Sequence, residues 1–208
     1  MKKSKRVKKS NSWRIKQHRD QFFKKSKSLG YRSRASFKLI ELNKKFKFIR
    51  SNTNLLDLGS CPGGWSQVAV KIITTGKIMS IDIKDMEPIK NVKFLKGDIN
   101  RNETKSAIIH YFKSNLDVII SDMAADTTGN KSLDSIRTNQ LCANIINFSK
   151  ETLKPKGVLV SKIFMGEDFI EVKNLAKSIF KKVNFFKPQS SRKESKETYL
   201  HCEIIKSL

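Results

Sequence analysis

Residues 53–65, Thr-Asn-Leu-Leu-Asp-Leu-Gly-Ser-Cys-Pro-Gly-Gly-Trp, constrain the fold more than any other part of this chain. An apolar run leads into a glycine-rich turn and then a helix, the pattern with which a doubly wound α/β sheet binds a nucleotide-like ligand. Gly59, Gly63 and Gly64 lack a Cβ, so the backbone can turn sharply and approach a ligand closely. The turn alone also fits an ordinary connection between a strand and a helix. Evidence from the rest of the chain is therefore needed to identify it as a cofactor site.

The residue at the second position of the turn separates two classes of cofactor. A dinucleotide fingerprint has glycine there, so that a pyrophosphate can lie against the backbone, whereas this chain has Cys61. A ligand with an adenosine, an amino acid and no phosphates therefore fits better than a nicotinamide dinucleotide. S-adenosylmethionine is such a ligand, and the turn predicts that it binds against Gly59 and Gly63.

The rest of the chain alternates short apolar runs with longer helical segments. Strands are predicted near 53–58, 77–81, 92–96, 116–120 and 157–163, and helices near 65–73, 103–112, 134–152 and 167–180. This rhythm predicts parallel strands with crossover helices. Two final strands, 183–186 and 199–205, have no room for a helix between them, so the last strand should be antiparallel. We predict a Rossmann-like class I methyltransferase fold, an α/β architecture with a doubly wound, mostly parallel seven-stranded sheet and an antiparallel last strand.

The chain is strongly basic, and its charge is concentrated near the start. Residues 1–50 contain 19 Lys and Arg against two acids, Asp20 and Glu41, and so hold +17 of the formal net charge of +24. An excess of this size repels itself unless counterions or phosphates neutralise it. A solvated face is the plain alternative. We expect a nucleic-acid partner, and charge alone does not separate RNA from DNA.

Length and composition divide the chain into two parts. Its 208 residues suffice for one α/β domain but not for two full ones. Residues 1–30 are basic and poor in aliphatic side chains, and we expect a flexible arm that grips RNA. Residues 31–208 form the predicted methyltransferase domain, which opens with an amphipathic helix over about 34–48 that carries Lys38 between apolar positions.

The cysteines and the apolar runs bear on compartment and metal content. Cys61, Cys142 and Cys202 are widely spaced, with no C-x-x-C pair and no histidine cluster, so we predict neither disulfides nor a metal site. No apolar run approaches the roughly 18 to 20 residues of a membrane span. We expect a monomer of the reducing cytoplasm without membrane contact. An organelle transit peptide in the acid-poor start is the alternative.

Polar residues at the carboxyl ends of the predicted strands face the crevice in which such sheets bind ligands. Asp82 ends the second strand, where a carboxylate can accept hydrogen bonds from both ribose hydroxyls of an adenosine. Asp98 follows the third strand, where it can face the adenine amino group. Each of these two acids also fits a helix cap or a turn.

Asp122 and Lys162 end neighbouring strands and should reach the same crevice. A charged side chain at the end of an apolar strand needs a partner, because burying an unpaired charge is costly. We predict that these two residues pair. Taken alone, the pair fits a structural salt bridge as well as a catalytic one.

Four charged residues give the chain a specific resemblance. In chain order, Lys38, Asp122, Lys162 and Glu197 resemble the Lys-Asp-Lys-Glu tetrad of RNA ribose 2′-O-methyltransferases. The surrounding segments agree: Tyr-Arg-Ser-Arg-Ala-Ser-Phe-Lys-Leu around Lys38, the turn at 57–67, Ser-Asp-Met-Ala at 121–124 and Ser-Arg-Lys-Glu-Ser-Lys-Glu-Thr-Tyr at 191–199. Over about residues 31–208 the chain is similar to the FtsJ-like (RrmJ-like) family of bacterial large-subunit ribosomal RNA uridine-2′-O-methyltransferases.

The resemblance implies a reaction, a substrate and a set of contacts. The reaction is methyl transfer from S-adenosylmethionine to the ribose 2′ oxygen of a uridine in the A loop of large-subunit (23S) RNA, within the assembled 50S subunit. Lys162 takes the central catalytic position. The implied cofactor contacts are Gly63, Trp65, Asp82, Asp98 and Asp122.

A ribose hydroxyl is a very weak acid, so the site must remove its proton or orient its lone pair. We hypothesise that Lys162 is the base or the orienting group, held by Asp122, while Lys38 and Glu197 shape the tetrad. Lys38 favours the neutral form of Lys162 and the carboxylates favour its charged form, so the sequence leaves its protonation state open. Arg32 and Arg34 are candidate phosphate contacts, and solvated surface arginines fit equally well.

Other functions compete with this interpretation. An amino-directed methyltransferase normally shows Asn/Asp-Pro-Pro-aromatic after the fourth strand, which Ser-Asp-Met-Ala at 121–124 lacks. A non-catalytic RNA-binding assembly factor would carry the same basic arm but would not need two lysines and two carboxylates in one crevice. A 2′-O-methyltransferase of another RNA is a third possibility. Ala125-Asp126 stands where the family usually has Pro-Asn, a departure expected to reshape the substrate loop, and Ser60-Cys61 replaces two small residues.

Overall fold

The computed structural model describes residues 20–206, so residues 1–19 of the predicted arm lie outside the described part. Its helices are α1 (Gln21–Ser28), α2 (Ala35–Phe46), α3 (Gly64–Ile72), α4 (Asn102–Phe112), α5 (Lys131–Thr152) and α6 (Phe169–Ile179). Its strands are β1 (Leu55–Leu58), β2 (Ile78–Asp82), β3 (Lys93–Lys96), β4 (Leu116–Ser121), β5 (Leu153–Phe164), β6 (Phe180–Phe186) and β7 (Glu197–Ile205).

The seven strands form one sheet in the order β3-β2-β1-β4-β5-β7-β6. The pairs from β3 through β5 are parallel, whereas β7 runs antiparallel to both β5 and β6. The predicted fold class, with its reversed last strand, is confirmed. The strand order reverses between β1 and β4, and such a switch point opens a crevice at the carboxyl ends of the strands.

Helices cover both faces of the sheet, so its central strands are largely buried on both faces. Every residue of β1 is buried. Because successive side chains of a strand point to opposite faces, Leu55 packs with α2 and α3 while Leu56 packs with α4, α5 and α6. The two apolar layers hold the strand ends at fixed positions, and those ends carry the site.

Part of the predicted arm, Gln21–Ser28, forms the helix α1, while the flexibility of the arm stays a prediction. Asp20 caps this helix by accepting hydrogen bonds from the N–H groups of Phe22 and Phe23 at 3.0 and 3.2 Å. The Phe22 ring lies 5.5 Å from that of Phe37, and Ser26 is buried. The cap and the contact with Phe37 thus stabilise this helix and hold it against α2, although its composition is largely basic.

The described helices, cysteines and ionisable side chains add three findings. None of the helices within residues 20–206 is both long and apolar enough to cross a membrane. Cys61, Cys142 and Cys202 are all free. In the same range, no three His, Cys, Asp or Glu side chains are grouped so as to hold a metal ion.

His201 in β7 is a fully buried polar residue in the layer beneath α2. Its ring stacks on Phe46 at a centroid distance of 3.9 Å, and neither ring nitrogen has a hydrogen-bond partner among the described residues. Burial lowers the pKa of His201 to about 4, and the carboxylate of Glu203, 3.5 Å from Nε2, offsets only part of this.

This histidine should make the fold sensitive to acid. An unfolded chain protonates it near its ordinary pKa of 6.5 and the folded chain only near 4, so stability is lost as pH falls through this window. His201→Leu should remove that dependence, which amounts to at most about 3 kcal/mol. Urea unfolding of the wild type and of His201→Leu, from neutral pH to about pH 4, measures the free energy of unfolding at each pH. The variant His110→Gln, which replaces an exposed histidine, is the control. If the free energies of unfolding of the wild type and of His201→Leu differ by the same amount at every pH, the assignment to His201 is contradicted.

Candidate active site

A cavity of about 590 Å³ opens where β1, β2, β3 and β4 end. This volume lies in the range of small-molecule sites. Four of the predicted cofactor residues lie in its wall, Gly59, Asp82, Asp98 and Asp122. The fold therefore gathers around one space residues that are far apart along the chain.

Gly59 lets the turn after β1 approach the loop after β4. Its φ is +72°, and a Cβ added there would come within 2.3 Å of Met123 Cγ. The N–H groups of Gly59 and Ser60 both donate to the carbonyl of Ile81, at 2.9 and 3.2 Å, which ties the turn to the end of β2. A larger residue at position 59 would therefore displace the cavity wall.

Two of the acids in the wall, Asp82 and Asp98, are oriented by hydrogen bonds from backbone amides. Asp82 accepts hydrogen bonds from the N–H groups of Cys61 and Lys84, each at 2.8 Å, one on each carboxylate oxygen. Asp98 uses one oxygen, Oδ1, to accept from the backbone and side chain of Asn100, each at 2.9 Å. The remaining lone pairs of these two carboxylates can accept hydrogen bonds from hydroxyl and amino groups. An adenosine carries both kinds of group, so it fits these acceptors.

Gly63 and Trp65, also predicted as cofactor contacts, are not part of this wall. The indole of Trp65 is buried, donates its N–H to the carbonyl of Ala35 at 2.8 Å and lies 5.7 Å from the ring of Tyr199. Gly63 has a φ of +107° and caps the start of α3. The side chain of Trp65 is therefore used for packing. A cofactor contact at this position stays a prediction, and it would have to be made by the backbone of Trp65.

The tetrad residues meet beside the cavity. Lys162 Nζ lies 2.7 Å from Asp122 Oδ1 and donates to the Asp122 carbonyl at 2.8 Å. Lys38 Nζ lies 2.8 Å from Glu197 Oε1 and 3.9 Å from Asp122 Oδ1. The predicted pairing of Asp122 with Lys162 is present. The helix α2, the loop directly after β4, and the strands β5 and β7 each supply one member.

Tyr199 is a site residue that sequence reasoning missed. Its hydroxyl donates to Asp122 Oδ1 at 2.5 Å, and Lys38 Nζ lies 5.7 Å from its ring centroid. Burial, together with the charges of Asp122 and Glu197, raises the pKa of Tyr199 well above its ordinary value, so the hydroxyl remains a donor. Tyr199 follows Glu197 by two residues at the start of a predicted strand, and this spacing puts both side chains on the same face. That signal could have revealed it.

The charges of the tetrad compensate one another in a site with little access to water. Lys38, Lys162 and Glu197 are each at most 9% exposed. Burial alone would raise the pKa of Asp122, but the ammonium groups of Lys162 and Lys38 outweigh it and hold that pKa below its ordinary value. Asp122 is therefore ionised, and because it also lies in the cavity wall, the tetrad opens onto the cavity.

Arg32 and Arg34, predicted to contact phosphates, instead have partners within the chain. The Arg32 guanidinium donates to the carbonyls of Pro62, Glu87 and Pro88, at 3.2, 2.6 and 2.9 Å. Arg34 pairs with Asp20 and donates to the carbonyl of Ser190. Both arginines hold loops around the site through five of their ten guanidinium N–H groups, and a phosphate contact at either position stays a prediction.

The Ala125-Asp126 departure lies at the cavity mouth. Residues 122–126 line the cavity, the Ala125 N–H donates to Thr138 Oγ1 at 3.2 Å, and Arg137 donates to the Asp126 carbonyl at 3.2 Å. The loop is thus held by α5. Ala125 and Asp126 thus form part of the cavity wall, and the tetrad contacts are all in place beside them.

The chain matches the family model described as FtsJ-like methyltransferase over residues 31–204. It is 46% identical over 197 residues to a protein of Pelagibacter ubique named ribosomal RNA large subunit methyltransferase E, with 95% of this chain and 97% of that relative covered. A protein of the same name from Rickettsia akari is 44% identical over 202 residues, with 94% and 89% covered.

Solved structures agree with the family match. A ribosomal RNA methyltransferase from Plasmodium falciparum is similar with a TM-score of 0.76 and 32% identity, over 84% of this chain and 98% of that one. Fibrillarin in its complex with Nop5p gives a TM-score of 0.58 at 17% identity over 81% and 82% of the two chains, which shows a shared fold alone. With a matching family model over most of its length and relatives above 40% identity, this chain belongs to the FtsJ-like methyltransferase family.

Proposed function

We propose that this enzyme transfers a methyl group from S-adenosylmethionine to the ribose 2′ oxygen of a uridine in large-subunit ribosomal RNA. The observation that carries the proposal is the position of Asp122, which lies in the cavity wall and also binds Lys162 of the tetrad. Relatives above 40% identity are named for large-subunit ribosomal RNA methylation, which supports this substrate. We further propose that the enzyme acts as a monomer in the cytoplasm, on the assembled 50S subunit.

The cavity residues support the choice of cofactor. Asp82 presents a carboxylate fixed by two amides, suited to the paired hydroxyls of a ribose, and Asp98 keeps Oδ2 available for an amino group. Gly59 leaves room for a ligand beside the turn. When bound, S-adenosylmethionine supplies an electrophilic methyl carbon.

The tetrad residues would prepare the acceptor oxygen. Lys162 Nζ donates two hydrogen bonds to Asp122, so as an ammonium it has one N–H left to orient the ribose hydroxyl. As a neutral amine it has a lone pair that can take the hydroxyl proton, and Asp122 then stabilises the ammonium that forms. Lys38 is the second cation of the tetrad, and its contact with Glu197 holds its ammonium group at a fixed distance from Asp122.

The charge of the chain supports a polyanionic substrate. The net charge of +24 favours association with phosphate-rich RNA, and this attraction weakens with salt. Because Arg32 and Arg34 are engaged within the chain, we assign the phosphate contacts to the exposed lysines of α1, Lys24, Lys25 and Lys27.

The reaction is tested by locating the transferred methyl group. Large subunits from cells lacking this protein are incubated with the enzyme and labelled S-adenosylmethionine, and the RNA is digested to nucleosides. We expect label on the ribose of one uridine. Label on a base would indicate an amino- or carbon-directed enzyme, label in another RNA a different substrate, and no label the non-catalytic assembly factor. Each of these three results would contradict the proposal.

Replacing Lys162 separates chemistry from cofactor binding. Lys162→Ala should lower kcat at least 100-fold, because a positioned proton-transfer or orienting group contributes on that scale. S-adenosylmethionine should bind with nearly unchanged affinity, since Lys162 is not in the cavity wall. Single-turnover kinetics and titration calorimetry measure the two effects.

A second variant and a control sharpen this test. Lys162→Arg keeps the charge but cannot act as a base near neutral pH, so it should be as inactive as the alanine variant if Lys162 takes the proton, and partly active if it only orients the hydroxyl. Lys154→Ala removes another salt-bridged lysine of β5, paired with Asp117 at 2.7 Å, and should keep full activity. Substantial transfer by Lys162→Ala would reject the assignment.

A further inference from the structure

A second groove, of about 550 Å³, borders the tetrad. It lies where β5, β6 and the segment before β7 meet the start of α6. We call it the Phe169 groove and define it by Met165, Phe169, Phe185, Lys187, Lys196 and Glu197. Glu197 belongs both to this groove and to the tetrad, so a molecule in the groove would lie next to one member of the tetrad.

The groove has an aromatic, partly exposed floor. The rings of Phe169 and Phe185 lie 4.9 Å apart, tilted by 51°, and each is only partly buried. Beside them Met165 is 50% exposed and Ile170 is 65% exposed. Clustered apolar side chains at the surface of a basic protein indicate a binding site more than a stability role.

The groove is preformed by hydrogen bonds. Asn139 on α5 donates to the carbonyl of Phe164 at 3.0 Å and to Asp168 Oδ1 at 2.8 Å, and it accepts from the Phe164 N–H at 2.8 Å. The Met165 N–H donates to the Lys196 carbonyl at 3.0 Å. Since both walls are held before any ligand arrives, binding would require little ordering of the protein.

Two lysines supply positive charge at the rim. Lys187 Nζ donates to the carbonyls of Lys193 and Ser195, at 3.3 and 2.7 Å, and so fixes the segment leading to β7. The exposed ammonium of Lys196 makes no hydrogen bond or ion pair within residues 20–206 and is available to a ligand. Aromatic rings with neighbouring cations are what single-stranded RNA requires, because bases stack on rings while phosphates bind ammonium groups.

We propose that the Phe169 groove binds the base of a nucleotide adjoining the methylated one, with Lys196 at its phosphate. This inference rests on the proposed function, because the neighbouring tetrad must receive the target ribose. Occupation of the groove would fix the RNA strand on the Glu197 side of the tetrad and determine which ribose reaches Lys162.

Two variants test the groove by separate contacts. Phe169→Leu keeps apolar packing but removes the ring, and Lys196→Glu reverses the free charge. Each should raise the KM for large subunits about tenfold, as expected for loss of one stacked base or one phosphate contact. The affinity for S-adenosylmethionine and the midpoint of thermal unfolding should stay at wild-type values.

Matched controls lie outside the walls of both cavities. Tyr111→Leu removes a ring from another aromatic pair, with Phe112 at 5.0 Å, and Lys150→Glu reverses an exposed charge in the last turn of α5. Both controls should keep the wild-type KM. If Phe169→Leu and Lys196→Glu do the same while the wild type methylates ribose, the groove proposal is overturned and the proposed function stands.

Photocrosslinking decides the groove without relying on methyl transfer. An RNA oligonucleotide with 4-thiouridine beside the target position should crosslink to the peptide containing Met165 and Phe169, and Lys196→Glu should weaken this crosslink. Crosslinks confined to other peptides would overturn the groove proposal, even in a protein that transfers no methyl group. If the groove variants raise the KM for subunits but no RNA crosslinks to the groove, the proposal is also overturned, and a ribosomal protein would then be the occupant.

Discussion

The contact between Asp122 and Lys162 is the interaction on which the site depends. One carboxylate oxygen of Asp122 accepts from Lys162 and from Tyr199 and lies 3.9 Å from Lys38. Without that carboxylate, two ammonium groups would face each other in a nearly dry pocket, which costs several kcal/mol. Because Asp122 also borders the cavity, the same residue couples the charge balance of the tetrad to the cofactor site.

The reversed last strand is what completes the tetrad. In β7 the first residue is Glu197, and the antiparallel register pairs it with Phe164 and pairs Tyr199 with Lys162. A strand running antiparallel begins at the edge where its parallel neighbours end, so Glu197 and Tyr199 arrive beside Asp122. A parallel β7 would carry both residues to the opposite edge of the sheet. The topology is therefore a requirement of the site as well as of the core.

Sequence reasoning found what short-range patterns encode. Alternating apolar runs gave the strands, and polar residues at strand ends gave Asp82, Asp98 and Asp122, because strand ends of such sheets meet at one edge. It could not find the partners of Arg32, which are carbonyls of Pro62, Glu87 and Pro88 far along the chain. Nor could it show that the indole of Trp65 is enclosed between Ala35 and Tyr199. These features depend on tertiary contacts that no local pattern records.

The most direct test of the account is a map of ribose 2′-O-methyl groups in large-subunit RNA by primer extension. Cells lacking this protein would be supplied with either the wild-type chain or Lys162→Ala at equal levels. We expect the wild type to restore one 2′-O-methyl uridine and the variant to leave it unmodified. Equal methylation in both, or no change in any ribose, would contradict the claim that the tetrad beside the cavity carries out ribose methylation.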